Sequence, residues 1–352
     1  MRRYDPYRGR GRLRAFLKVL IVILVIALAV AVATFFLLDR HLVISADGYR
    51  LELPFFRQEE TPAPSPEDTG GDLPLVVETP GATRPVVAPA AEAIRGVLLP
   101  RTALYDGTAE ELVAAVGGSA AIFDMKADDG SLGYISQQPL AVTAKVSADN
   151  PAINAAIRGL NAGELYTVAR VSCFRDNAAP YYDNTTALRS SAGNWRDSEG
   201  IRWLSVGRQS ARDYVAGVCA ELAELGFDEI LLDCAAYPVD GGTDRIVRGD
   251  AYDPDDLTGP VAEFYAQVAR ALEDYPQVRL SIVAGEALLT GEDDGSGQTP
   301  ELLRQYARRV WVTLPESGLT RPSGDLAAAQ VVWMAAQEPS GAENWAIWPE
   351  NE

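Results

Sequence analysis

Histidine is almost missing from this chain: there is one in 352 residues, His41, and it stands beside a long apolar run rather than in the body of the sequence. The body can therefore hold no Ser-His-Asp triad, no histidine general base and no histidine-bound zinc. Cysteine is scarce as well. Cys173, Cys219 and Cys234 are scattered without C-x-x-C spacing, so they are expected to serve as small buried apolar side chains. No Gly-rich phosphate loop follows any strand-like run, which disfavours an open doubly wound nucleotide-binding sheet. Carboxylates are what remains for acid–base work, and neither a cofactor nor a metal is called for.

Positive charge is concentrated at the start. Arg2, Arg3, Arg8, Arg10, Arg12, Arg14 and Lys18 stand against one acid, Asp5, within the first eighteen residues, while the whole chain carries −18. The rest is therefore strongly acidic and repels nucleic acid and anionic lipid headgroups, so nucleic acid is not an expected partner. The basic stretch 1–18 reads as a cytoplasmic tail and topology signal. Residues 19–38, Val19 to Leu38, are apolar except for Thr34. Twenty residues rise about 30 Å as a helix, enough to cross a bilayer. A single-pass anchor in the cell membrane is expected, with the C-terminal domain extracytoplasmic. Ala31-Val-Ala33 has the form of a signal-peptidase site, but Phe35 to Leu38 continue the apolar run beyond it.

Residues 39–56 alternate around Asp47-Gly48, the pattern of a small β-hairpin-like stalk. Residues 57–90 are rich in Pro, Glu, Thr and Gly, too polar to fold, and read as a flexible tether.

From 91 to 352 strand-like and helix-like patterns alternate. Eight strand-like runs are predicted at Gly96–Leu99, Ala120–Asp124, Leu165–Val171, Glu229–Asp233, Val278–Ala284, Val310–Leu314, Val331–Met334 and Trp345–Trp348. Eight is the number that closes a (β/α)8 TIM-like barrel, and that α/β fold is the expectation, with its late helices reduced. Helix starts are signalled by Thr108-x-x-Glu111, Asn150-Pro151, Ser210-x-x-Asp213 and Thr299-Pro300. Val215, Val218, Leu222 and Leu225 mark one apolar helix face, and Val261, Phe264, Val268 and Leu272 another. A short helix is expected over Asp325–Gln330.

The segments Ala121-Ile-Phe-Asp-Met-Lys126 with Asp129-Gly130, Tyr166 to Asp176, Gly193-Asn-Trp195, Trp203-Leu-Ser205, Arg212-Asp-Tyr214 and Gly226 to Asp233 resemble a bacterial glycosyl hydrolase-like domain family. It was long classed as a domain of unknown function and is related to the amylase-type barrels. The resemblance runs from about Ile94 to the C-terminus, where Asn344-Trp-Ala-Ile-Trp348 is similar to the family's closing strand. It departs after the fourth strand: the family reads Tyr-Ile-Arg-Phe-Pro where this chain has Cys234-Ala235-Ala236-Tyr237-Pro238, so an arginine is absent.

Glycosidic hydrolysis needs two carboxyl groups, and three acids end strands here: Asp124, Asp233 and, two residues past the fifth strand, Glu286. The resemblance implies nucleophile and acid roles for Asp233 and Glu286, so the catalytic candidates are Asp233, Glu286 and Asp124. Arg170, Tyr237, Trp195, Trp203 and Lys126 are the candidate substrate-binding residues, tryptophan faces being suited to stacking on sugar rings. Glu286 begins a polar loop that runs on to Glu292-Asp-Asp-Gly295, and a solvated side chain is the alternative to an acid role for it. The function expected is that of a membrane-anchored glycoside hydrolase-like protein acting on a cell-envelope or extracellular glycan. The alternative is a degenerate barrel that binds a glycan or an envelope protein.

Overall fold

The eight apolar runs form parallel strands that close on themselves in sequence order, each paired with the next and the last with the first. They are β1 (Arg95–Leu99), β2 (Ala120–Lys126), β3 (Tyr166–Ser172), β4 (Glu229–Asp233), β5 (Arg279–Val283), β6 (Val310–Thr313), β7 (Val331–Ala335) and β8 (Trp345–Ile347). The computed structural model describes residues 42–45, 48–51 and 93–348. The chain divides into two units, Met1–Arg84 and Pro85–Glu352. In the first, Leu42–Ser45 pairs antiparallel with Gly48–Leu51. The basic tail, the expected membrane helix 19–38 and the tether 57–90 lie outside the described residues. Among the described residues no helix is long and apolar enough to cross a membrane.

Side chains inside and outside the barrel separate with a period of two, as alternation along a strand requires. Ile122, Val168, Leu231, Trp311, Val332 and Ala346 belong to one buried cluster within the ring. Their strand neighbours Ala121, Phe123, Ala169, Ile230 and Leu232 belong to a larger cluster under the helices.

The outer helices are α1 (Ala109–Ala115), α2 (Pro139–Ala144), α3 (Ile153–Asn161), α4 (Gln209–Glu224), α5 (Thr258–Ala271) and α6 (Pro300–Tyr306). On α4, Val215, Val218 and Leu222 are fully buried, as are Val261, Phe264 and Val268 on α5. Each such side chain contributes roughly 1.5–3 kcal/mol of burial. Gly226 follows α4 with φ +92, the left-handed turn that ends a helix most cheaply with glycine. Asp228 then accepts from the Thr167 backbone N–H at 2.8 Å, fastening the start of β4 to β3.

The start signals are used unevenly. Thr299 caps α6 by accepting from Leu302 N–H at 3.2 Å. Asn150 accepts from Ala152 N–H at 3.0 Å, and α3 begins at Ile153. The Thr108–Glu111 box does not form, because the Thr108 hydroxyl donates to Asp106 at 2.6 Å instead. Asp213 likewise accepts from Gln209 and Gln267 side chains rather than closing a box with Ser210. Late in the chain the expected helix over Asp325–Gln330 is only a 3-10 turn, Gly324–Leu326, and none separates β7 from β8.

Candidate functional site

The barrel interior is layered. At the amino-terminal end Glu229 accepts from Tyr166 Oη at 2.7 Å and pairs with Arg309, and Trp311 Nε1 donates to it at 3.3 Å. Above lies the apolar layer of Ile122, Val168 and Leu231. Two residues further along β2, β3 and β4, the same inward positions are Asp124, Arg170 and Asp233, so the strand period brings three charged groups together at the carboxyl end.

Arg170 is the centre of that layer. Its Nε and Nη2 both reach Asp233 Oδ2, at 2.8 and 2.6 Å, Nη1 donates to Asp124 at 2.9 Å and Nη2 to Asp128 at 2.8 Å. Burial alone would lower the Arg170 pKa, but Asp233, Asp124 and Asp128 outweigh it and hold the guanidinium charged. Asp233 Oδ1 accepts from the Cys234 N–H at 2.7 Å, in a turn where Cys234 has φ +46. Trp348 covers Arg170, its ring centroid 5.7 Å from the guanidinium carbon.

A second arginine extends the network. Arg175 donates to Asp128 at 2.5 Å, Asp197 at 2.8 Å and Glu199 at 2.6 Å. Asp128 thus bridges the two guanidinium groups. The Asp197 carboxylate also accepts from Trp203 Nε1 at 3.0 Å, which ties the long β3–α4 connection to the barrel mouth.

A cleft of about 360 Å³ opens over this layer, lined by Asp233, Trp203, Tyr237, Asp197 and Asp294 among others. Tyr237 packs edge-on against Tyr252, with ring centroids 5.4 Å apart, and burial pushes its hydroxyl up to about 12.

The candidates from sequence are distributed as follows. Asp124, Arg170 and Asp233 share one ionic cluster. Trp203 and Tyr237 line the cleft. Trp195 does not: it is 2% exposed, packs on Trp203 at 6.4 Å between ring centroids and donates to the Gly242 carbonyl. Lys126 is fully buried, paired to Asp176 at 2.8 Å and donating to the Ser172 carbonyl at 2.6 Å. The reason is a register shift in β2 between Asp124 and Lys126, a bulge that re-aims the next side chain; a ligand role for Lys126 is thereby replaced by a structural one. Glu286 opens a single helical turn, Glu286–Leu289, and accepts from the Thr320 hydroxyl; it is not among the cleft-lining residues. The sequence reading missed Asp128, Arg175, Asp197, Asp294 and the placement of Trp348. Arg175 stands inside the Tyr166 to Asp176 motif, but only the folded loop tells which carboxylates it meets.

The profile of the family described as "Putative glycosyl hydrolase domain" matches residues 109–311. No curated protein matches the chain. Among solved structures, a hypothetical protein from Ruminiclostridium thermocellum is 24% identical over 53% of this chain and 96% of its own, with a TM-score of 0.44. The alpha-galactosidase from Lactobacillus brevis is 15% identical over 63% of this chain and 30% of its own, with a TM-score of 0.42. Alpha-L-fucosidase isoenzyme 2 from Paenibacillus thiaminolyticus is 13% identical over 69% of this chain and 40% of its own, with a TM-score of 0.49. The chain spans less than half the length of either of these two hydrolases, and similarity this low carries nothing about activity.

Proposed function

Because the chain belongs to the family described as "Putative glycosyl hydrolase domain", we propose that its barrel hydrolyses a glycosidic bond in a cell-envelope or extracellular glycan, with Asp233 as the carboxylate beside the anomeric carbon. One observation carries this reading: Asp233 ends β4 on the wall of the cleft, held by Arg170 and by a backbone N–H. A carboxylate so held is fixed in orientation, as a nucleophile or a water-activating base requires. Asp124 is a positioning residue that acts through Arg170, and Trp203 and Tyr237 give the sugar an apolar wall. A second carboxyl on the opposite side of the bond supplies the proton.

The test is hydrolysis of a panel of 4-nitrophenyl glycosides by the full-length chain. Activity that falls at least a thousandfold in Asp233→Asn is the expected result. A wild-type chain that cleaves no member of the panel sinks the reading.

A second reading is a barrel that binds a glycan or an envelope protein without turning it over. It is favoured by Glu286, which bonds to Thr320 outside the cleft lining, and by Ala236 standing where the family has arginine. Glycan binding by calorimetry without turnover, weakened only a few-fold in Asp233→Asn, is what this reading expects.

We place the barrel outside the cell on the tether 57–90, anchored by the apolar run 19–38 behind its basic flank. Protease added to intact bacterial spheroplasts is expected to remove the barrel and leave a membrane-bound stub; full protection of the barrel would reverse this topology.

A further inference from the structure

We infer that Asp294, eleven positions past the end of β5 in an acidic loop, supplies the second carboxyl of the site. The inference rests on the hydrolysis proposed above. Val283 at the end of β5 packs against the barrel-interior cluster, so two residues on, Gly285 is where an inward side chain of the fifth strand would stand. Gly285 has none, and a Cβ there would lie 2.7 Å from Asp294 Oδ2 and 3.6 Å from its Cγ. The carboxylate of Asp294 thus fills the place of a fifth-strand side chain, and Asp294, Gly285 and Asp233 line the same cleft.

The loop that delivers Asp294 is exposed at Glu292, Asp293 and Gly295 and anchored immediately after them. Ser296 and Gln298 are each 5% exposed. The Ser296 carbonyl accepts from Tyr237 N–H at 3.0 Å, and Gln298 Nε2 donates to Tyr265 Oη at 2.7 Å and to the Val283 carbonyl at 3.1 Å. Asp294 Oδ1 is committed, accepting from Ser296 N–H at 3.0 Å and Ser296 Oγ at 2.6 Å. Oδ2 takes no hydrogen bond among the described residues, so it is the oxygen available to carry a proton. Glu286 is turned to Thr320 instead.

In the step this assigns, the proton on Asp294 Oδ2 passes to the glycosidic oxygen as the bond from that oxygen to the anomeric carbon breaks. The bonding pair stays on the oxygen, which leaves as a hydroxyl. The anomeric carbon is taken by an Asp233 carboxylate oxygen, or by a water whose proton Asp233 accepts. In the first case Asp294 then deprotonates the water that releases the ester. Either course consumes one water.

The leaving group separates an acid from a merely structural residue, since 2,4-dinitrophenolate departs without protonation and an alkyl or 4-nitrophenyl oxygen gains from it. With the full-length chain and both glycoside series, Asp294→Asn is expected to lose at least a hundredfold on 4-nitrophenyl glycosides and less than tenfold on 2,4-dinitrophenyl ones. Glu286→Gln should stay within threefold on both. Gly285→Ala keeps an ordinary backbone (φ −67) and displaces only the Asp294 carboxylate, so it should reproduce the leaving-group dependence while the protein remains folded. Equal losses on both series, or a loss in Glu286→Gln and none in Asp294→Asn, overturns the assignment and leaves hydrolysis standing. A wild-type chain inactive on both series removes hydrolysis and the assignment with it.

Discussion

Asp233 Oδ2 accepts from two nitrogens of one guanidinium, Arg170 Nε at 2.8 Å and Nη2 at 2.6 Å, across neighbouring strands β4 and β3. The arginine arises two strand residues above Val168, and the aspartate two above Leu231, so the barrel's own alternation puts them at one level. The same guanidinium holds Asp124 and Asp128, and three carboxylates share one cation in a layer that is largely out of water.

Lysine cannot replace that fork. Arg170→Lys keeps the charge but offers one ammonium where three nitrogens are used, so Asp124 loses its cation or Asp128 is left with Arg175 alone. Arg170→Met leaves all three carboxylates without it. Breaking a buried pair costs about 3–5 kcal/mol, and urea unfolding is expected to show a loss in that range for Met and a smaller one for Lys. Turnover of any cleaved glycoside should fall in both, and in the Lys variant by more than its stability change explains.

The two bridged acids set an acid limit on stability. Burial would raise the carboxyl of Asp128, but Arg170 and Arg175 outweigh it and hold it below the usual carboxylate range. Burial would likewise raise Asp197, and Trp203 N–H and Arg175 outweigh it. Lowered folded values mean that the unfolded chain binds more protons as pH drops. The stabilisation is complete above the ordinary carboxylate value near 4 and is lost as pH falls through the lowered ones. Urea midpoints measured between about pH 5 and pH 2 should decline in the wild type and decline less steeply in Asp128→Asn. An unchanged slope would show that Asp128 is not held ionised by the arginines.

Much of this fold is legible because a strand buried on both faces is a short continuous apolar run. Glu229 to Asp233 shows it, an apolar core closed by a carboxylate at the rim. What escapes the sequence depends on backbone detail or on distant loops. The bulge after Asp124 turns Lys126 away from the cleft, and nothing in Asp-Met-Lys announces it. Trp195 and Trp203 read alike, yet one is packed behind the other. Glu286 and Asp294 are the clearest case: the strand-proximal acid turns to Thr320, and an acid from the polar loop beyond it stands over Gly285. The arginine absent at Ala236 reads as a defect until Arg170 is seen to hold Asp233.

At the closed end of the barrel Glu229 gathers Arg309, Tyr166 and Trp311 with no exposure of its own side chain. Glu229→Gln removes the charge from beneath Arg309 and should cost about 3–5 kcal/mol in urea unfolding. The cleft lies at the other end, so kcat and KM of the folded fraction should match the wild type. A selective fall in kcat would mean that the two ends are coupled through the apolar layer.

Charge at the cleft favours one kind of sugar. Asp197, Glu199, Asp233, Asp240 and Asp294 line it beside a single cation, Arg175, and all three Arg175 nitrogens already donate to carboxylates. An anionic sugar meets repulsion with no free guanidinium to offset it. Uronate oligosaccharides should bind at least tenfold more weakly than neutral or amino-sugar ones in calorimetry, and the gap should narrow as salt is raised. Equal affinity for uronates would contradict this electrostatic reading.

Restoring the family's arginine tests whether Arg170 replaces it. Ala236 is 5% exposed and lines the cleft, so Ala236→Arg must direct a long side chain into the space a sugar would use or force its neighbours apart. Overpacking of that kind costs about 1–3 kcal/mol. Asp233 gains little in return, because Oδ2 already takes two donors from Arg170 and Oδ1 takes the Cys234 N–H. The expected result is a lower unfolding midpoint together with unchanged or reduced kcat/KM. A rise in kcat/KM would show that the site needs a second guanidinium beside Asp233 and that the chain as it stands is impaired by lacking it.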